Sequence, residues 1–287
     1  MARHTEYKRY TRSRAGNVVY FSFLLLAGVF SILPLIYCVC TAFKPLDELL
    51  VFPPRFFVHR PTLENFVQLP ILIDKLRVPL SRYIFNSVYI AAISTILHIF
   101  VASMAAFVLA KSRIRLKGVL FTIVQLSLLY NAYTLAVPQY LVFSQMRIID
   151  TFWVYILPAI PSTTGVFLIK QYMDSSVPDT LLEAARIDGA SVFQTYFRIV
   201  MPIIKPAWMT LMLLSFQSLW ALTPSGTIFS EELKTLPYVL SSITAGGIAR
   251  AGSSMAATVL MMIPPIAVFV VSQSNVMETM STAGMKG

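Results

Sequence analysis

The sequence predicts an all-α, polytopic membrane protein with six transmembrane helices. Three observations carry that expectation. First, 56% of the 287 residues are hydrophobic and only 13% are charged. Soluble domains run at roughly 45–50% and about 25%, and half the usual charge cannot cover a water-soluble globule of this size. Second, the mean hydropathy is +0.70. Third, the charges are segregated, leaving six apolar windows without Asp, Glu, Lys or Arg. These figures exclude a disordered chain, a collagen and a disulfide-stapled secreted mini-protein.

The windows run approximately Val18–Phe43, Tyr83–Ala110, Val119–Met146, Phe152–Ile169, Ala207–Phe229 and Ser254–Val276. Each is close to or above the roughly 20 residues a helix needs to cross about 30 Å of hydrocarbon. The first follows a basic stretch, yet it is about twice as long as the apolar region of a signal peptide and no small-x-small site comes after it. It reads as a retained anchor. Cys38 and Cys40 within it are one residue apart, which gives no disulfide framework and no metal set; they read as small apolar filler. The second window holds His98, the only group in any window that titrates near neutrality. It reads as an interface histidine bonded to a neighbour in preference to a proton switch. The fourth is the shortest and contains Pro158 and Pro161. With Pro34, Pro138, Pro264 and Pro265 these supply kinks where neighbouring groups or water satisfy the freed carbonyls.

The net charge of +10 is explained by position. Residues 1–16 and 111–118 are strongly basic, and the excess of Lys and Arg marks the cytoplasmic side. Six spans then place both termini in the cytoplasm, with 170–206 inward and 44–82, 147–151 and 230–253 outward. On this assignment the inward segments carry 14 bases and 6 acids, and the outward segments 9 and 7. The basicity is a topology signal, and no nucleic-acid partner is implied.

The absence of charge from the windows argues against a proton pump, which carries buried relay groups. The sequence has no G-x-x-x-x-G-K-[ST] phosphate loop, no H-E-x-x-H and no G-x-S-x-G. The chain is therefore expected not to be an enzyme, to bind no cofactor or metal itself, and to take its driving force from elsewhere. Polar residues in the windows are candidates for lining a solute path: Asn86, Gln125, Tyr130, Asn131, Tyr133 and Gln217. Interhelical hydrogen bonding is their alternative role.

The inward segment 170–206 is organised. Pro178 suits the first turn of a helix, and Asp179 and Glu183 lie toward its positive end. Leu181, Leu182, Ala184 and Ala185 favour helix. Gly189 offers a terminating position that tolerates positive φ. Ser191 with Gln194 makes a capping box for a second helix, expected to stop or kink near Met201, before Pro202. The product is a short, charge-balanced helix–turn–helix suited to docking on another protein.

Here the residues reach a family. Glu183-Ala184-Ala185, three residues, Gly189, nine residues and Ile199-Val200-Met201-Pro202 resemble the EAA loop of ABC-importer permeases, E-A-A-x3-G-x9-I-x-L-P, with Met201 where leucine is usual. Arg186 to Ser191, R-I-D-G-A-S, resembles the carbohydrate branch. Arg82 to Ser87 and Ala105 to Gly118 resemble the family's entry to and exit from its second span, and the tail Thr282 to Gly287 resembles that of maltose-type permeases. Trp220-Ala221 departs from the Trp-Asn of many sugar permeases. The resemblance covers about residues 80–287.

The resemblance implies the fold of a type I ABC-importer permease of the six-span, maltose-type kind. By the same likeness, residues 1–16 form a cytoplasmic basic tail, 17–277 the permease domain with the coupling loop 178–202, and 278–287 a cytoplasmic tail. The implied function is ATP-driven, binding-protein-dependent import of a sugar or oligosaccharide through the bacterial cytoplasmic membrane. Glu183, Ala184, Ala185, Arg186, Asp188 and Gly189 would couple to the ATPase subunit. The partners would be a second permease subunit in a heterodimer, two ATP-binding cassette subunits that hold ATP and Mg, and an extracytoplasmic solute-binding protein. Pro237 to Gly252 is the stretch able to reach that protein. The competing reading is a stand-alone channel or ion-coupled secondary carrier; a membrane-embedded enzyme lacks the clustered reactive groups it would need.

Overall fold

The computed structural model describes residues 14–74, 78–129, 132–223, 226–245, 247 and 250–284. Every regular element among them is helical. The described residues within 1–69 and 246–259 form one compact unit, and those within 70–245 and 260–287 form the other.

In the first unit, α1 (Arg14–Ala42) is apolar on all sides and contains Pro34. Only 6% of its most apolar stretch is buried within the chain, as expected of a helix that faces lipid or another subunit. Its last carbonyls have partners, which a helix end requires. Asn65 Nδ2 donates to the carbonyls of Ala42 (2.9 Å) and Lys44 (2.7 Å). The Thr62 N–H donates to Phe43 (2.9 Å). Asn65 lies at the start of α2 (Glu64–Asp74).

In the second unit, α3 (Leu80–Lys111) is the axis. It packs most extensively against α6 (Trp153–Ala159), α7 (Thr163–Ser176) and α10 (Lys205–Trp220). Its buried face is largely small: Ser87, Ala91, Ser94, Thr95, Ala102, Ser103 and Ala106. Small residues let membrane helices approach closely. Gly165 on α7 uses that room. A Cβ there would lie 3.0 Å from Leu211 Cδ2 and Ser162 Oγ and 3.2 Å from the Ala102 Cβ. Around this contact Ala102, Ala106, Val166, Ile169, Met173, Val200, Ile204, Ala207 and Leu211 form one apolar core.

The six windows map onto the helices with corrections. Among the described residues, four helical stretches are long and apolar enough to cross a membrane: Ala15–Ala42, Leu80–Lys111, Trp153–Ser176 and Ala251–Ser274. The last lies in α12 (Ala251–Gly284). A fifth is the bent pair α9 (Val192–Ile203) and α10, with 78° between them. The third window is divided among the described residues into α4 (Lys117–Ser127), a 3-10 turn at Ala132–Leu135 and α5 (Ala136–Gln145). Pro138 stands in the first turn of α5, the one place where a helix accepts proline without losing a bond. The fifth window ends early, at Trp220 rather than Phe229, because Pro224 disfavours helix in the residues just before it. Residues 231–233 then form a 3-10 turn, and α11 (Leu236–Thr244) comes next.

Candidate functional site

The segment 178–202 forms the expected helix–turn–helix. Pro178 is the residue before the helix, with extended geometry (φ −66°, ψ 140°), so it caps α8 (Asp179–Ile187) from outside and not from within its first turn. Val177 before it is extended as well, the region to which a residue preceding proline is held. α8 ends in a Schellman motif. The Gly189 N–H donates to Arg186 (3.2 Å) and the Ala190 N–H to Ala185 (2.9 Å), while Gly189 takes φ +80°. This is the left-handed position at which glycine carries no Cβ penalty. The capping box is present too. The Ser191 N–H donates to Gln194 Oε1 (2.8 Å), and the Gln194 N–H donates to Ser191 Oγ (3.2 Å).

The second helix continues past the point where the sequence predicts a stop. α9 runs through Pro202 to Ile203, and the break falls at Ile204. Thr195–Val200 is wound as a π-helix. That wider turn opens the i→i−4 ladder into which a proline cannot donate. Pro202 is thereby carried inside the helix. The 78° bend comes after it, with Pro206 in the first turn of α10. Trp208 Nε1 donates to the Met201 carbonyl at 3.1 Å, satisfying an acceptor freed at the bend.

Both ends of this motif are fastened to α3. Lys111, the last residue of α3, has a side chain only 7% exposed. Its Nζ donates to the Val177 carbonyl (2.7 Å) and to Asp179 Oδ1 (2.8 Å). The hydrogen bond from Lys111 holds the Asp179 carboxyl below its ordinary range. Further along, the Tyr196 hydroxyl and Ser103 Oγ are 2.6 Å apart, and Phe197 stacks on Phe100. Val200 and Ile204 are fully buried in the membrane-side core. Through them α9 packs in one core with α3, α7 and α10.

Of the residues read as coupling candidates, Ala185 is buried and seats the helix. Glu183, Ala184, Arg186, Asp188 and Gly189 are exposed. Sequence reasoning missed their neighbours. Ile187 is 86% exposed, Val192 68% and Phe193 65%. Large apolar side chains exposed close together mark a contact surface. Their signal in the sequence is that Ile187, Val192 and Phe193 flank the polar turn Asp188–Ser191.

The path candidates are not gathered into one wall. Asn86 is fully buried, and its Nδ2 donates to the carbonyls of Glu232 (2.7 Å) and Lys234 (2.9 Å). Together with Ser87, whose Oγ accepts from the Leu236 N–H at 2.8 Å, it holds the segment before α11 against α3. Gln125 on α4 and Gln217 on α10 are exposed. Tyr130 and Asn131 lie outside the described residues, as does the side chain of Tyr133. Within 237–252, the half that forms α11 buries Pro237, Val239 and Ile243. A different set of polar residues does converge. His98, Ser162, Thr163, Thr164, Ser215 and Ser218 line a cavity of about 400 Å³ where α6 gives way to α7. His98 Nδ1–H donates to the Ala159 carbonyl there (2.7 Å). The pair Pro158 and Pro161 is its sequence signal.

A family described as the binding-protein-dependent transport system inner membrane component matches residues 98–282. The chain is 29% identical over 270 residues to the sulfoquinovosyl glycerol transport system permease protein SmoH of Agrobacterium fabrum, covering 93% of this chain and 92% of that one. It is 28% identical over 208 residues to the arabinooligosaccharides transport system permease protein AraQ of Bacillus subtilis, covering 72% and 74%. To the lactose transport system permease protein LacG of Rhizobium radiobacter it is 27% identical, covering 94% and 96%. Its fold matches a chain in the crystal structure of a bacterial ABC transporter involved in the import of the acidic polysaccharide alginate. There the TM-score is 0.74 at 22% identity, covering 92% of this chain and 98% of that chain.

Proposed function

The chain belongs to the binding-protein-dependent transport system inner membrane component family, and on that premise we propose that it is a permease subunit of an ATP-driven importer for a sugar or oligosaccharide. The observation that carries the reading is the 178–202 motif, terminated by Gly189, restarted by the Ser191 capping box and fastened to α3 at Lys111 and Ser103. It presents Glu183, Ala184 and Asp188 beside exposed Ile187. That is a surface for a partner, on a lever that ends in the membrane core.

In this reading a separate ATP-binding subunit takes α8 in a cleft, and ATP and Mg are held there. Closure of two such subunits moves α8, and the bend between α9 and α10 passes the motion to the pathway. A second permease chain completes the path. A binding protein delivers solute to the outer face. The cavity at the α6–α7 break is lined by His98 and five Ser and Thr side chains beside Pro158, Pro161, Leu211, Leu214 and Leu219; it suits a sugar, whose hydroxyls bond to the polar groups and whose ring faces pack on the apolar ones. The sugar class is supported by the curated relatives, several of which carry sugars or oligosaccharides by name. The six-span count, the cytoplasmic placement of both termini and the tails at 1–16 and 278–287 belong to the same proposal.

The test is the intact complex in detergent or nanodiscs, screened for the solute that raises ATP hydrolysis when the binding protein is present. A sugar or glycoside is the expected activator. Activation confined to amino acids or peptides overturns the substrate class and leaves the permease assignment standing.

A further inference from the structure

A groove of about 440 Å³ lies between the last turns of α3 and the helices α8 and α9. Its walls are apolar, with Phe107 and Val108 on one side and Phe193 on the other, and its cations are Lys111, Arg113 and Arg186. No acidic residue lines it among the described residues. The side chains of Arg113 and Arg186 have no ion pair or hydrogen bond among the described residues. Lys111 spends two of its three N–H donors on Val177 and Asp179.

We propose that this groove binds an anionic phospholipid, with an acyl chain against Phe107, Val108 and Phe193 and the headgroup against Arg113 and Arg186. Charge complementarity carries the choice of occupant. Two unpaired guanidiniums at the rim of an apolar slot match a molecule that is anionic at one end and apolar along the rest. The groove begins where a membrane-crossing helix ends in Lys111, which is the depth at which basic side chains meet headgroups. The surface proposed to dock an ATPase subunit is a different face of α8. Leu182 and Arg186, four residues apart, look into the groove, whereas Glu183 and Ile187 share another side. A lipid here would brace the loop against α3 and make its stiffness depend on membrane composition. The inference rests on the inward placement of 170–206 proposed above.

The experiment uses the chain purified with its native partners in nanodiscs of phosphatidylglycerol and phosphatidylcholine, with native mass spectrometry of retained lipid as the readout. Wild type is expected to keep phosphatidylglycerol selectively. The Arg113→Gln/Arg186→Gln variant is expected to lose that retention about tenfold, and Arg113→Lys/Arg186→Lys to keep most of it. Arg115→Gln, outside the groove, serves as the folding and surface-charge control and is expected to retain it fully. A photo-crosslinker at Val108 should capture phosphatidylglycerol. Equal retention of both lipids, unchanged retention in the double Gln variant, or capture of a protein subunit at Val108 overturns the proposal. None of these readouts depends on transport, so a failure of the permease reading is seen separately, in the solute-stimulated ATPase assay.

Discussion

Gly189 and Asp150 show how single residues set the behaviour of this chain, one on each proposed side of the membrane. At Gly189 a Cβ would meet nothing within 4 Å, so the cost of substitution is that of the backbone alone. With φ at +80°, that cost is about 1–2 kcal/mol for an ordinary residue and less for Asn. Gly189→Asp is expected to insert normally yet separate ATP hydrolysis from solute uptake, with Gly189→Asn milder. Wild-type uptake by the Asp variant would show that the turn has no part in coupling. Asp150 is different, since its carboxylate accepts from the N–H groups of Phe229 (2.9 Å) and Ser230 (2.8 Å) and from the Ser230 hydroxyl. The Ser230 hydroxyl, then its N–H, hold the Asp150 carboxyl below its ordinary range. A carboxyl lowered by folding lends stability that is full above its unfolded value, near 3.9, and is lost as pH falls through the folded value. The melting temperature should therefore drop below about pH 4 in wild type and change less there in Asp150→Asn. Equal acid sensitivity in both would exclude this latch as the cause.

At the scale of the elements, close approach and interrupted helices matter most. Gly165 brings α7 onto α3, and a Cβ placed there already lies 3.0 Å from Leu211. Gly165→Val should cost about 1–3 kcal/mol by overpacking, with a lower melting temperature and unchanged membrane insertion. A melting temperature equal to wild type would mean that the α3–α7 contact is loose. The loop 178–202 is legible in the sequence because its information is local. A capping box needs residues three apart, and a Schellman turn needs one glycine. The apolar windows are legible because lipid demands long uncharged stretches. Interruptions inside a window are not. Val119–Met146 looks continuous by composition, yet Pro138 starts a new helix within it. The bend after Ile203 follows a π-turn at Thr195–Val200, and composition marks neither. Polarity alone points Asn86 toward a solute path. Its place against the carbonyls of Glu232 and Lys234 joins positions almost 150 apart in sequence, a distance no local pattern spans.

For the whole molecule, the scarcity of charge has a consequence for energy. Membrane-crossing helices free of Asp, Glu, Lys and Arg over most of their length avoid the cost of burying charge in lipid. They also leave few groups through which a proton gradient could drive transport. The docking surface proposed on α8 is where a partner's work would enter. The chain is therefore expected to be inert alone. The most direct measurement compares solute uptake by proteoliposomes holding this chain alone with uptake by those holding the complete complex, binding protein and ATP. The account predicts uptake only in the complete system, and only while ATP is hydrolysed. Solute flux through the chain alone, without ATP, would contradict it and identify a channel or an ion-coupled carrier.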